Sequence, residues 1–507
     1  MADRLLRTLG TWSDSRILWL VLALLFIFLI RLPVADVSVI DWDESIYFTM
    51  AQDVAGGGVP YKTTWDTKGP LLFLTLAPVV AVFGDSIAAL RIFTSAYLIL
   101  SMFFVYLVAT RFISGFAAIL PPLFYGLMFA APDFGGLASN GELFMMLPVI
   151  LSILTYLDYR ENDAKRLIFL SGVFSAAAFL IKATAIFSAA AVPVFFIYDY
   201  FSRQPRRPGA FLTGAALYGA GFATAAAIVA LYLGANGALG AFLETYFITN
   251  GKFVGAVPLQ KAFVDLIYYV HWLMLRNFEL VTLAAVICSL LLVWRLARRK
   301  KGDVKADAVV FVFMLAALSL LGVVWGRRMF PHYYLQMALP FALIVGLGVA
   351  SLGLRASYVK ALMLLVIAAF LVHSPVAQTV SRTKSMDEDF YERSASYAVS
   401  DYIKSNSEDG DRILVVGGQP IVYFLSERRP AIKDFWWTEH HMIMYEILNL
   451  RETVPPALDR NKPLYVAYYD GRHEELRLGL DYLDRFINDN YTLEKNIDGY
   501  RIYRLAN

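Results

Sequence analysis

The 507-residue chain contains one cysteine, Cys288, and it lies inside an apolar run. A single thiol excludes an intramolecular disulfide and a cysteine-based metal site. Charge is scarce: 17% of the residues are charged, against about a quarter in soluble domains. The net charge is only +3, and the Arg clusters flank apolar runs instead of alternating with aromatic platforms, which argues against a nucleic-acid partner. Of the six histidines, only His440 and His441 stand close together, beside Glu439. Adjacent residues on a helix or strand point apart, so no metal site is expected there. Gly56-Gly57-Gly58 reads as a turn without a Walker lysine, and neither a dinucleotide-binding glycine fingerprint nor a serine-nucleophile elbow is found. Internal repeats and low-complexity tracts are missing. Leu18 to Ile30 follows Arg4, Arg7 and Arg16, but no small-residue cleavage site comes after it, so it is expected to stay as a first membrane span.

What the chain has in excess is apolar length. Hydrophobic residues make up 58%, in continuous rather than alternating runs. A helix needs about 20 such residues to cross a bilayer, and in lipid only helices or closed barrels satisfy the backbone. Apolar segments fall at about 17–33, 70–84, 86–110, 114–131, 142–158, 167–181, 183–200, 210–234, 276–296, 307–325, 333–353 and 358–374. The 70–84 run is short, starts at Pro70 and contains Pro78, so it is read as an interfacial helix that does not cross. With the amino terminus inside, Arg111, Arg160, Lys165, Arg166, Arg203, Arg206, Arg207, Arg295, Arg298 to Lys301, Arg355 and Lys360 then all face the cytoplasm. Crossing at 70–84 would turn those clusters outward. The expectation is a polytopic α-helical protein with about eleven spans plus the interfacial helix, carboxyl terminus outside.

Residues 378–507 have a different character. Arg412 to Val416 and Leu464 to Tyr468 read as buried strands. Asp389 to Ser405 and Glu475 to Asn488 have helical periodicity, and Tyr491 to Leu505 alternates like a terminal hairpin. The expected organisation is a membrane domain over 1–377, with a first outer loop at 34–69, followed by a small outer α/β domain over 378–507.

The chemistry-bearing residues gather at the outer span ends in this topology. Asp41-Trp42-Asp43-Glu44 stands in the first outer loop. Asp43 suits a cap for a helix beginning near Ser45, with Glu44 favoured by the helix dipole; it equally suits a base that takes a proton from a hydroxyl. The loop ends in Trp65-Asp66-Thr67-Lys68-Gly69-Pro70, where Lys68 is either a snorkelling cation or a phosphate ligand at a helix start. The second outer loop runs from Asp133 to Glu142. Glu142 begins a span, as a dipole partner or as a second active-site carboxylate. Lys182 is the only charge in its stretch, snorkelling or facing a phosphate. Trp325-Gly-Arg327-Arg328-Met-Phe-Pro331-His332-Tyr333-Tyr334 breaks the positive-inside trend. Tyr and Trp belong in an interfacial belt, but an Arg pair with a His does not, and Arg recognises phosphate bidentately.

That order of motifs resembles the GT-C class of integral membrane glycosyltransferases. Over about 1–375 it is most similar to the branch of protein O-mannosyltransferases, the lipid A aminoarabinose transferase and the rhizobial lipid A galacturonosyltransferases. The resemblance implies that Asp43, with Glu44 beside it, supplies the base. It implies that Lys68 contacts the carrier phosphate and that the second acidic residue maps best to Glu142, with Asp133 a weaker candidate. Arg327, Arg328, His332 and Tyr333 would then belong to the lipid-phosphate or sugar pocket. Members of the aminoarabinose branch have Glu before that Lys and Pro-Pro or a close variant after it; here Thr67 and Gly69-Pro70 stand instead. The implied reaction is inverting transfer from a polyprenyl-phosphate sugar to a hydroxyl of lipid A or core lipopolysaccharide, another glycan or a protein. It would run on the outer face of a bacterial inner membrane, with the sugar lipid as co-substrate and neither metal nor other cofactor. The competing readings are a polyprenyl-diphosphate-linked glycan ligase or polymerase, a transporter or flippase of lipid-linked sugars, and a non-catalytic assembly protein. A transporter would show repeats or spans broken near the midplane, and neither is visible in the sequence.

Overall fold

The computed structural model describes residues 15–35, 37, 40–202, 207–276, 279–298, 305–373, 393–436, 447–469 and 481–506. His440 and His441, Arg203, Arg206, residues 299–301, and the proposed helical stretches 389–392 and 475–480 lie outside the described residues. So does the side chain of Asp133.

Every one of the eleven expected spans is helical. Seven are long and apolar enough to cross a membrane: Arg16–Val34, Ile87–Phe112, Gly141–Asn162, Ala185–Ser202, Pro208–Ala235, Ala306–Trp325 and Pro331–Ser351. The other four are the shorter Phe116–Phe129 and Ala356–Val372 segments, the 17-residue Lys165–Ile181 helix, and Glu279–Arg298. The short helix with the internal Pro78 is Pro70–Phe83; it starts with proline at its first position, where the missing N–H costs nothing, and stops at Gly84 with φ +69°. The protein is thus a multi-pass membrane protein.

The chain divides into two compact units. The first comprises 1–34, 92–227 and 258–380; the second comprises 35–91, 228–257 and 381–507.

Within the first unit, helices Lys165–Ile181 and Pro208–Ala235 approach closely through small residues. A Cβ placed on Gly172 would lie 2.0 Å from the Tyr218 carbonyl oxygen, and one on Gly221 would lie 2.0 Å from that of Phe169. Small residues let helix backbones touch where lipid gives no hydrophobic drive to associate. Gly172→Ala must therefore push the two helices apart. Overpacking of this kind costs about 1–3 kcal/mol, so the apparent Tm in detergent is expected to fall, whereas Gly209→Ala, which meets nothing within 4 Å, should leave it unchanged.

The second unit carries the carboxyl-terminal α/β fold. Strands β1 (Arg412–Val416), β2 (Arg429–Pro430), β3 (Tyr465–Tyr469), β4 (Tyr491–Ile497) and β5 (Tyr500–Leu505) form one sheet in the order β2-β1-β3-β5-β4. The first three are parallel and the last two form an antiparallel hairpin against β3. Leu414, Val416, Val466 and Tyr468 pack on one face with Leu458, Phe486 and Ile487, and the intervening Ile413, Val415, Tyr465 and Ala467 are buried as well. A sheet covered on both faces reads as a near-continuous apolar run. β4 is an exposed edge bearing Glu494 and Lys495, charges that discourage edge-to-edge pairing.

Candidate functional site

In the second unit, the helix Trp42–Ala55 sets the position of the acidic motif. The expected cap at Asp43 is corrected here. Asp41 is the cap: its backbone is extended at φ −144°, and its Oδ1 accepts from the Asp43 amide at 2.9 Å. Asp41 satisfies the amide that an exposed helix start leaves over, and the helix begins three residues earlier than expected. Asp43 and Glu44 therefore occupy the first turn, where the helix dipole favours negative charge.

The two carboxylates have opposite surroundings. Glu44 is 1% exposed and forms an ion pair with Arg91, itself 3% exposed, which also donates to the Val37 carbonyl. Asp43 keeps a side-chain exposure of 24%, accepts from the Tyr47 hydroxyl at 2.9 Å and pairs with Lys68 Nζ at 3.2 Å. Tyr47 stands four residues further along the same helix, so the two side chains share a face. The Lys68 ammonium lies 5.4 Å from the centre of the Tyr47 ring and 3.6 Å from Asp66 Oδ2.

The Lys68 loop is braced from several directions. The Tyr61 hydroxyl donates to the Lys68 carbonyl at 2.6 Å, and Asn250 Nδ2 to the Thr67 carbonyl at 2.9 Å. Trp65 stacks on Trp436, whose Nε1 donates to the Trp65 carbonyl at 3.0 Å. Trp65 Nε1 in turn donates to Thr245 at 2.9 Å. Burial raises the Asp66 carboxyl above its ordinary pKa; the Lys68 ammonium opposes this and the Asp43 carboxylate adds to it. Two carboxylates thus share one ammonium.

The first unit holds the other candidates. Glu142 lies in the first turn of Gly141–Asn162 and is fully buried, and its Oε1 receives Lys182 Nζ in an ion pair. Lys182 is 6% exposed, with its ammonium 4.6 Å from the centre of the Tyr333 ring. The bland reading of a snorkelling Lys182 does not hold: its charge is turned inward. Arg31 carries the loop before Gly141–Asn162, donating to Ser95 at 3.1 Å, to the Gly136 carbonyl at 2.5 Å and to the Leu137 carbonyl at 3.0 Å. Arg327 and Met329 have left-handed backbones, φ +55° and +49°. Two non-glycine residues held there mark a strained turn, the kind that persists where surroundings over-determine it. His332 stacks on Phe330, with centroids 5.7 Å apart, and meets the Tyr333 ring edge-on at 5.0 Å. Burial lowers the pKa of Arg328, countered by Tyr333.

So Asp43, Lys68 and Glu44 come together in one unit, although Glu44 turns to Arg91. Glu142, Lys182 and Tyr333 come together in the other. Among the described residues, no group of three His, Cys, Asp or Glu side chains is arranged to hold a metal ion. Sequence reasoning missed Tyr47, Asp66, Arg91 and Arg31. Tyr47 was detectable as the i+4 partner of Asp43, once the helix start is moved back to Trp42.

This fold is the GT-C fold of membrane glycosyltransferases. ArnT from Cupriavidus metallidurans, solved bound to undecaprenyl phosphate, superposes with a TM-score of 0.58 at 12% identity, covering 95% of this chain and 97% of its own. The archaeal oligosaccharyltransferase AglB from Archaeoglobus fulgidus, solved with an inhibitory peptide and a dolichol-phosphate, gives 0.53 at 12% identity, covering 90% and 70%. Within that class, residues 67–250 match the sequence model of the dolichyl-phosphate-mannose-protein mannosyltransferase family. No curated protein matches the sequence. The resemblance read from the motifs thus leads to the same class as the fold.

Proposed function

We propose that the protein transfers a sugar from a polyprenyl-phosphate carrier to an acceptor hydroxyl, by a single inverting displacement on the outer face of a bacterial inner membrane. The observation that carries this reading is the Asp43–Lys68 pair, 3.2 Å apart in a braced, partly open loop beside a short interfacial helix. Asp43 takes the acceptor proton as the acceptor oxygen bonds to the anomeric carbon. The bond from that carbon to the phosphate oxygen breaks, and its electron pair leaves on the phosphate. Lys68 meets the charge that builds there. In this reading Glu44 is a positioning residue that fixes the start of the helix through Arg91. Asp66 holds the Lys68 ammonium beside Asp43.

For the first unit, the reading assigns Lys182, Arg327, Arg328, His332 and Tyr333 to the anionic and sugar parts of the donor, and Glu142 to the orientation of Lys182. The amino terminus is placed in the cytoplasm and the carboxyl-terminal domain in the periplasm. The acceptor is lipid A or core lipopolysaccharide, another glycan or a protein. Support comes from the relatives of the same fold, whose solved structures contain undecaprenyl phosphate and dolichol-phosphate. A polyprenyl monophosphate is a carrier that a single Lys–carboxylate pair can serve.

The test is consumption of radiolabelled polyprenyl-phosphate sugars by purified protein in liposomes. Release of polyprenyl phosphate from one donor is expected once acceptor glycolipid is supplied. Turnover of a polyprenyl-diphosphate glycan, with every monophosphate donor untouched, would overturn the assignment.

A further inference from the structure

The first unit contains buried side chains near Lys182 whose free oxygens the phosphate reading leaves unused. Glu142 is 0% exposed; its Oε1 takes the Lys182 ammonium, while its Oε2 has no hydrogen-bond partner among the described residues. Gln336 is 0% exposed; its Nε2 donates to Thr184, two residues beyond Lys182, at 3.4 Å, and its Oε1 is likewise without a partner. Asn140, 1% exposed and two residues before Glu142, donates to the Gly135 carbonyl at 2.7 Å and leaves its Oδ1 unpaired. Gln336 follows Tyr333, whose ring carries the Lys182 ammonium, by three residues, within the short helix Pro331–Met337. Ordinary core packing removes such groups: an unpaired buried polar atom costs about 1–3 kcal/mol. In a membrane protein, polar groups kept inside mark function by default.

All three orphaned atoms are acceptors, so what completes them must bring N–H or O–H donors. A phosphate cannot do so, since at neutral pH its oxygens mainly accept. A sugar can, because each hydroxyl donates once. The charge balance of the pair points the same way: Glu142 cancels Lys182, so the pair itself offers no net positive charge to a carboxylate. The fit at Gln336 is close as well. A Cβ on Gly322 would stand 2.7 Å from Gln336 Oε1, so glycine on the neighbouring helix leaves the carboxamide its place.

We propose that Glu142, Gln336 and Asn140 form a hydroxyl-reading cradle for the transferred sugar, selecting a sugar that presents hydroxyl donors there and rejecting one that presents a carboxylate. This deepens the transferase reading and rests on it. Gln336 is then a specificity-determining residue.

The test uses full-length protein in liposomes. Mannosyl-, glucosyl- and galacturonosyl-phospho-undecaprenol are compared, together with the monodeoxy analogues of whichever sugar turns over. A hydroxylated neutral sugar is expected to be consumed and the galacturonosyl donor refused. One deoxy analogue should lose on the order of 100-fold or more in kcat/KM, as sites built to hydrogen-bond a hydroxyl do. Gln336→Leu should erase that discrimination at the one position while leaving the affinity for undecaprenyl phosphate alone unchanged. Gly322→Ala, which displaces the carboxamide, should weaken the same discrimination. Preference for the galacturonosyl donor would overturn the proposal. So would a Gln336→Leu variant that slows parent and deoxy donors by one common factor, which is what mere support of the fold would do. If wild type, with acceptor glycolipid supplied, leaves every monophosphate donor untouched and turns over a polyprenyl-diphosphate glycan, the transferase reading itself falls, a result distinct from either of these.

Discussion

Replacing Asp43 by Asn should lower transfer from the polyprenyl-phosphate donor by roughly 100- to 10,000-fold, the range over which a positioned general base acts. The substitution keeps the side chain's shape and an oxygen for the Tyr47 hydroxyl, which now donates at 2.9 Å. It removes the basicity that accepts the acceptor's proton. No helix cap is lost with it, because Asp41 is the capping residue. The variant should therefore fold normally, and its apparent Tm should stay close to that of wild type. Undecaprenyl phosphate should bind at least as well, since Lys68 no longer shares its charge with a neighbouring carboxylate 3.2 Å away. Low kcat with undiminished carrier binding is the signature expected of a base. A variant that transfers within about threefold of wild type, small against a general base's contribution, would reduce Asp43 to a partner that holds Lys68.

The contrast between Asp43 and Glu44 shows how far the sequence could be read. Element positions were legible because they depend on local pattern. Apolar length gave the spans, Pro70 gave the start of the short helix, and β-branched and aromatic runs gave β1 and β3. That the Asp43, Glu44 and Lys68 charges need partners was legible for a similar reason: charge next to a span is costly when left alone. What each carboxylate faces was not legible, because it depends on contacts between distant segments. Arg91 lies 47 residues from Glu44, and Arg31 reaches carbonyls about 100 residues away. In the sequence Arg31 simply flanks the first apolar run; in the fold it is 3% exposed. Gln336 and Asn140 carry no charge, so no cost argument singles them out until burial is known. One local error had another source. Asp41, Asp43 and Ser45 are all acceptable caps, and only the backbone geometry chooses among them.

Glu44→Gln should destabilise the protein by about 3–5 kcal/mol, the usual result of removing one partner from a buried ion pair. Glu44 is 1% exposed and Arg91 3%. The Arg91 guanidinium would keep its bond to the Val37 carbonyl but lose the countercharge that makes its burial tolerable. The damage comes from the stranded charge more than from the lost attraction. A second substitution that removes this charge, Arg91→Met, should then recover much of the stability that Glu44→Gln loses. Thermal unfolding of the single and double variants in one detergent checks the cycle. The same pair separates two roles for Glu44. If it only fixes the turn that presents Asp43, the double variant regains transfer along with stability. If Glu44 itself handles a proton, the double variant is stable yet remains as slow as Asp43→Asn. The buried geometry favours the first outcome, because a carboxylate closed in by a guanidinium has no path to an acceptor hydroxyl, whereas its neighbour, one residue earlier and 24% exposed, does.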